Sequence, residues 1–315
     1  MKAICITPIR HLPGLYEKFE SICDFDYFPN ISYQELKLIL DAGHHNSIFT
    51  NPNKQNFIID KQLLKKTAIR LINTASTGLN HINLKDCKDL DISVLSLTKD
   101  YSLIRNLPST SELAFGLFLS LARKIPTSFD SVKSFNWDYE PFVGRQIMGM
   151  TAGIVGYGRL GTYMARYCKA FGMKVIVYDP FKNVFDHDQV EKRELLERSD
   201  LISLHVHVKQ DTIGFIDEDA VRLMKRKPFI VNTSRGEIVD ESSIYDAIKD
   251  ESIAGYGTDV LVDEFREDLS ENALINLSRS GYNVIITPHI GGMSLEGQKL
   301  AYSHAINKFR EYHEQ

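Results

Sequence analysis

The residues of this sequence best suited to chemistry sit at the ends of short apolar runs. His205 lies in Leu201–Val206, Thr233-Ser234-Arg235-Gly236 closes the run from Phe229, Asp259 ends Ala254–Asp259, and His289 follows Val284–Thr287. His289 stands in Thr-Pro-His-Ile-Gly-Gly, where a rigid proline holds the imidazole and two glycines leave it approachable. Such a histidine suits proton donation and abstraction near neutral pH. Glu264 follows Asp259 by five residues, and a carboxylate bonded to an imidazolium favours its protonated form. Arg235 offers a planar fork of donors that grips a carboxylate in two parallel bonds, which lysine does less well. Ser76-Thr77-Gly78, at the end of another apolar run, has the form of a turn whose backbone N–H groups can bind an anion. A plain turn is the alternative reading of those three residues.

Gly156-Tyr157-Gly158-Arg159-Leu160-Gly161 matches G-x-G-x-x-G, directly follows an apolar run and opens a helical pattern with Leu160, Met164 and Cys168 on one face. Gly156 permits a tight turn, Gly158 lets a pyrophosphate reach the backbone, and Gly161 allows the helix to pack on the strand. The next run ends in Asp179, 18 residues past Gly161, where a carboxylate can accept bonds from both hydroxyls of an adenosine ribose. Because it would repel a 2′-phosphate, NAD is preferred to NADP, although nearby Lys182 leaves some use of NADP open.

The elements that must position these residues alternate. In residues 1–97, strands are expected near Ala3–Thr7, Ser47–Thr50, Ile69–Thr74 and Ile92–Leu97, with helices near Tyr33–Asp41, Asp60–Lys66 and Asn83–Leu90. Ser109 to Lys124 reads as a helix, with Ser109, Thr110 or Ser111 as candidate caps and a stop at Arg123, Lys124 and Pro126. Beyond Gly149 six strands alternate with helices, the pattern of a doubly wound parallel sheet, and a helix over about 296–315 closes the chain. The carboxyl ends of parallel strands face one crevice, so the polar residues above should converge on whatever the glycine turn holds.

Composition bounds the rest. The chain has 315 residues, 43% hydrophobic and 25% charged, which suits about two globular domains. A net charge of −4 provides no field for holding nucleic acid or an anionic membrane surface. The basic run Lys225-Arg226-Lys227 reads as the cationic end of a helix. The longest apolar run, Leu113–Ala122, is about half of a membrane span, and neither it nor the N-terminus suggests insertion or export. Cys5, Cys23, Cys87 and Cys168 form no C-x-x-C pair, which suggests neither a metal site nor a redox dithiol and fits a reducing cytoplasm.

Read together, Ser76–Asn83, Glu112–Pro126, Trp137, Gly153–Pro180, Leu204-His205, Asn232–Gly236, Gly257–Glu264 and Thr287–Gly292 resemble the D-isomer-specific 2-hydroxyacid dehydrogenases over nearly the whole chain. The resemblance implies an α/β fold of two doubly wound parallel-sheet domains, Rossmann-like and flavodoxin-like, with a cleft between them. Residues 1–98 with 291–315 would form a discontinuous substrate domain, and 99–290 the NAD-binding domain. It further implies a catalytic trio of Arg235, Glu264 and His289. Asp259 and the backbone around Thr233 would hold the nicotinamide carboxamide, and the protein would be a homodimer. The expected activity is hydride transfer between NAD(H) and a 2-hydroxy acid/2-oxo acid pair. The alternative is an NAD(H)-responsive interaction protein of the corepressor kind on the same fold.

Two positions depart from the family pattern: His207 and Phe265 stand where prolines are usual. The loop Phe49–Asn53 lacks the arginine that phosphoglycerate enzymes tend to carry there, leaving Lys54 as the nearest cation, so a phosphorylated substrate is not the first expectation.

Overall fold

The computed structural model describes residues 2–52, 57–266 and 268–314, so Asn53 and Lys54 lie outside the described residues. The chain divides into two compact units, 1–107 with 293–315, and 108–292. The stretch 99–107, expected with the second domain, groups with the first unit, and Gly291 and Gly292, expected with the first, group with the second.

The first unit holds a five-stranded parallel sheet of β1 (Lys2–Cys5), β2 (Asp24–Tyr27), β3 (Ser47–Thr50), β4 (Leu71–Thr74) and β5 (Ser93–Leu95), in the order β2-β1-β3-β4-β5. Successive side chains point to opposite faces, so apolar residues at consecutive positions fill two layers. Ala3, Cys5, Phe49 and Leu71 pack with Tyr302, Ala305, Ile306 and Phe309 of the closing helix Leu295–His313. Ile4, Ile48 and Ile72 pack on the other side with Leu36, Leu40 and Leu63. Asn73 ties the closing helix to the sheet by donating to the Ala305 carbonyl at 2.7 Å. The edge strand β2 was not expected, because Asp-Phe-Asp-Tyr offers no apolar run.

The second unit holds seven parallel strands: β6 (Thr151–Val155), β7 (Lys174–Tyr178), β8 (Asp188–Gln189), β9 (Leu201–Leu204), β10 (Phe229–Asn232), β11 (Gly255–Thr258) and β12 (Val284–Ile286). Their order is β12-β11-β10-β9-β6-β7-β8. The chain leaves β6 toward β7 on one side and returns to β9 on the other, so the switch point where such sheets bind ligands lies at the end of β6. Helices cover both faces, with Ala114, Phe118 and Leu121 packed beside Met164, Ala165 and Cys168 under Ile154 and Val231.

The helix Ser109–Ala122 has Pro108 at its N-cap, and none of the three candidate hydroxyls caps it. Thr110 Oγ1 donates to the Gly291 carbonyl and Ser111 Oγ to that of Leu160, at 3.1 and 2.9 Å. The expected stop at Lys124 occurs, with that residue in the left-handed region at φ 51°, but Pro126 lies in the first turn of a second helix, Ile125–Lys133. Proline is well suited to a first helical turn because its missing N–H is not needed there. Lys225 and Arg226 form ion pairs with Glu197 and Asp200, beyond the helix Glu218–Arg222.

Candidate active site

All the candidate residues of the second unit lie at the carboxyl edge of its sheet, and hydrogen bonds lace the strand ends together. Ser234 Oγ donates to the Leu204 carbonyl at 2.8 Å, joining the end of β10 to β9. The Asp259 N–H donates to the Asn232 carbonyl at 3.0 Å, and the Thr287 N–H to that of Thr258 at 2.9 Å, joining β10 to β11 and β11 to β12. Asn232 shapes the turn that presents Arg235, since its amide donates to the Arg235 carbonyl at 2.8 Å and its oxygen accepts from the Ser234 N–H at 3.0 Å. Asn232 opens the family-like stretch Asn232–Gly236, and an Asx turn before Thr-Ser-Arg-Gly is the sequence signal for this separate role.

Arg235 donates one Nη1–H bond to the Ser234 carbonyl at 2.7 Å, which leaves most of its five donors for another acceptor. Gly236 follows at a close approach: a Cβ there would lie 2.3 Å from the backbone of Leu261 and Val262. Only glycine lets the Arg235 turn abut the segment that leads into Glu264. Glu241, missed from sequence, accepts from the Val262 N–H at 2.8 Å, and burial raises its pKa.

His289 and Glu264 form a pair, Nδ1 to Oε1 at 2.8 Å, with the imidazole partly exposed and the carboxyl largely covered. The pairing leaves Nε2 as the nitrogen that can exchange a proton with a bound molecule. His289 sits at φ 55°, a conformation costly for a residue with a Cβ. Its N–H donates to the Asp259 and Thr287 carbonyls at 3.0 and 2.9 Å, which holds it there. Asp259 is buried, and burial pushes its pKa above the ordinary carboxylate value, opposed by the bonds it accepts.

The glycine turn has the shape a dinucleotide requires. Gly156 has φ 87°, and a Cβ on Gly161 would lie 2.0 Å from the Gly156 carbonyl oxygen, whereas one on Gly158 would meet nothing within 4 Å. The helix Arg159–Ala170 therefore starts against the turn, with open space at Gly158 and no side-chain cap on its N-terminus. Leu160 lies in its first turn, and the Arg159 guanidinium is held in a desolvated setting that lowers its pKa. Asp179 accepts from the Tyr157 N–H at 2.8 Å and from the Phe181 N–H at 3.0 Å, which sets its carboxylate beside the turn. Two polar atoms, Thr233 Oγ1 and His205 Nδ1, are buried with no partner among the described residues. Buried polar groups are costly unless satisfied, so these atoms fit a site that a polar cofactor completes. Burial pushes His205 down to about 4, so its imidazole is neutral near neutral pH, with its Nε2 2.8 Å from Ser203 Oγ. Where the family proline is replaced by His207, Thr212 Oγ1 closes the turn by donating to the His207 carbonyl at 2.6 Å.

In the first unit, Ser76 Oγ donates to the Gly78 carbonyl at 2.7 Å and pairs with Thr74 Oγ1 at 2.9 Å, which in turn meets His81 Nε2 at 3.0 Å. The N–H groups of Thr77 and Gly78 donate to no backbone carbonyl among the described residues. Thr98 Oγ1 braces the turn by donating to the Thr77 carbonyl at 3.2 Å.

Comparison with known proteins agrees with this geometry. Residues 115–291 match the family of D-isomer specific 2-hydroxyacid dehydrogenase, NAD binding domain. A hydroxypyruvate reductase of Thermotoga maritima is 34% identical over 246 residues, covering 77% of this chain and 78% of the relative. A D-3-phosphoglycerate dehydrogenase of Methanocaldococcus jannaschii is 35% identical over 243 residues, 75% of this chain, but this match spans only 44% of that longer protein. The crystal structure of D-lactate dehydrogenase from Aquifex aeolicus complexed with NAD and lactic acid superposes with a TM-score of 0.79 at 26% identity, covering 100% of this chain and 96% of that one. The chain belongs to the D-isomer specific 2-hydroxyacid dehydrogenase family.

Proposed function

We propose that this NAD-dependent dehydrogenase interconverts a small, unphosphorylated 2-oxo acid and its D-2-hydroxy acid, with His289 as acid and base and Arg235 as the carboxylate clamp. The observation that carries the reading is the His289–Glu264 pair, whose bonded Nδ1 fixes the ring and leaves Nε2 to give up or take the proton of the substrate oxygen. When bound, NADH supplies the hydride that reduces C2. Arg235 orients the substrate through paired bonds to its carboxylate, and its charge polarises the adjacent carbonyl. The backbone donors of the Ser76-Thr77-Gly78 turn suit an anion and support reading the first unit as the substrate domain. Thr233 and Asp259 stand at the nicotinamide end, and Gly156 to Gly161 with Asp179 at the pyrophosphate and adenosine end.

The unphosphorylated substrate is favoured because the loop Phe49–Asn53 carries no cationic residue to bind a phosphate dianion. Hydroxypyruvate fits this description, and glyoxylate is its achiral counterpart, reduced to glycolate. A homodimer is supported by the second unit, where Phe129, Phe135, Trp137, Tyr139 and Val143 are exposed within one short segment. Four free, buried cysteines support a cytoplasmic protein, and no helix among the described residues is long and apolar enough to cross a membrane.

A spectrophotometric panel of glyoxylate, hydroxypyruvate, pyruvate and phosphohydroxypyruvate with NADH tests the proposal. Many turnovers per active site are expected on an unphosphorylated acid. Turnover confined to phosphohydroxypyruvate, or one equivalent of NADH consumed on every acid, would overturn it.

A further inference from the structure

The connection between the parallel strands β7 and β8 runs only from Asp179 to His187 and contains no helix. Parallel crossovers ordinarily take roughly a dozen residues or more and usually include a helix that packs the connection down. Here side chains do that work. Gln189 Oε1 accepts from the Val184 N–H at 3.0 Å, while its Nε2 donates to the carbonyls of Asp179 and Lys182, both at 2.8 Å. Tyr157, the second residue of the glycine turn, donates its hydroxyl to Asp186 at 2.7 Å and meets His187 edge-on at 5.7 Å.

This folding-back has an electrostatic result. Lys182 donates to the Tyr157 carbonyl at 2.9 Å and lies 5.0 Å from the centre of that ring. The adjoining cleft, of about 580 Å³, is lined by Asp179, Glu191 and Glu194 as well as by Lys182 and Gln189. The Lys182 ammonium of that lining is thus retained on the glycine turn.

The geometry points to Gln189 as a specificity-determining positioning residue for the nucleotide. By holding the Lys182 carbonyl, it keeps the Lys182 ammonium bonded to the Tyr157 carbonyl, so that this cation is already engaged and is not offered to a 2′-phosphate beside the ribose acceptor Asp179. This rests on the reading of Asp179 as the ribose acceptor. Released from Gln189, the 181–184 turn lets the lysine swing toward the ribose, where an ammonium attracts a phosphate dianion at close range.

The test is direct binding, read from nucleotide fluorescence, of NADH and NADPH to the wild-type protein, Gln189→Met, and Gln189→Met combined with Lys182→Ala, with circular dichroism to confirm folding. The ratio of Kd for NADPH to Kd for NADH should fall at least about fivefold in the single variant and return to within about twofold of wild type in the double variant. A ratio that does not fall in Gln189→Met, or a fall that persists without Lys182, overturns the proposal. If Gln189→Met does not fold, Tyr157→Phe, which removes the hydroxyl that donates to Asp186, should move the ratio the same way by a smaller factor, and no movement counts against it. Asp179→Ala separates the two readings. If it leaves NADH binding unchanged, the ribose assignment fails, whereas weakened NADH binding with an unmoved Gln189 ratio defeats this inference alone.

Discussion

Asp259 commits both carboxylate oxygens to the turn that carries His289. Oδ1 accepts from Thr287 Oγ1 at 2.5 Å and the Ile290 N–H at 2.8 Å, and Oδ2 from the Gly291 N–H at 2.7 Å. The family resemblance implies that Asp259 helps to hold the nicotinamide carboxamide, and the bonds it makes add another role: it holds His289 in a left-handed conformation that the residue would otherwise avoid. Asp259→Asn cannot accept on both sides, leaving a buried N–H unpaired at a cost of about 1–3 kcal/mol. We expect kcat to fall by roughly ten- to a hundredfold through misplacement of the imidazole, with NADH affinity changed far less. An Asn variant with wild-type kcat and melting temperature would show that the turn holds itself.

His289→Asn removes the only proton donor assigned to the substrate oxygen. Steady-state rates should show kcat lower by roughly a hundredfold or more, with NADH binding retained. Glu264→Gln keeps the size of the partner and removes its charge, so the loss should be smaller, about tenfold or more, and the affinity for the 2-oxo acid should change less than kcat. Equal losses of NADH affinity in both variants would mean that the pair supports the cofactor rather than the proton.

Gly161→Ala tests the glycine turn. Its methyl group would press on the Gly156 carbonyl oxygen from 2.0 Å, and relief requires the helix to move away from the turn. Overpacking of this kind costs about 1–3 kcal/mol, so NADH affinity should fall by roughly tenfold or more in a calorimetric titration. Unchanged affinity would mean that the nucleotide does not rely on this packing.

Stability should depend on pH below neutrality through His81 and His205. Burial brings both down to about 4, against about 6.5 for an exposed histidine. Between these values the unfolded chain binds more protons than the folded one, so stability is complete above about pH 6.5 and falls as the pH drops toward 4. For His81 the loss at pH 5 is on the order of 2 kcal/mol. Thermal melts at pH 7.5 and 5.0 should separate by several degrees, and His81→Gln should narrow the gap. A variant with the full wild-type pH dependence would remove His81 from this account.

Much of the second unit is legible in the sequence because its central strands are buried on both faces and appear as apolar runs. Each run ends in a polar residue that the parallel topology carries to the same edge. The parts that escaped lack that signal. β2 is an edge strand of alternating acidic and aromatic residues, and β8 is two polar residues long. Pro126 marks an end by the usual reading, yet here it lies in the first turn of a helix, because Lys124 reverses the chain one residue before that helix. Their positions at strand ends put Asp259 and His289 on one edge, but no sequence pattern tells which donors a carboxylate will take. The roles of Asn232, Glu241 and Gln189 likewise depend on backbone atoms that only the folded chain brings into reach.

The most direct test is reduction of hydroxypyruvate with NADH carrying deuterium at C4 on both faces, followed by analysis of the product. The account predicts D-glycerate with one deuterium at C2, formed catalytically by the wild-type protein and at least about a hundredfold more slowly by His289→Asn. L-configured product, deuterium absent from C2, or equal rates for the two proteins would contradict it.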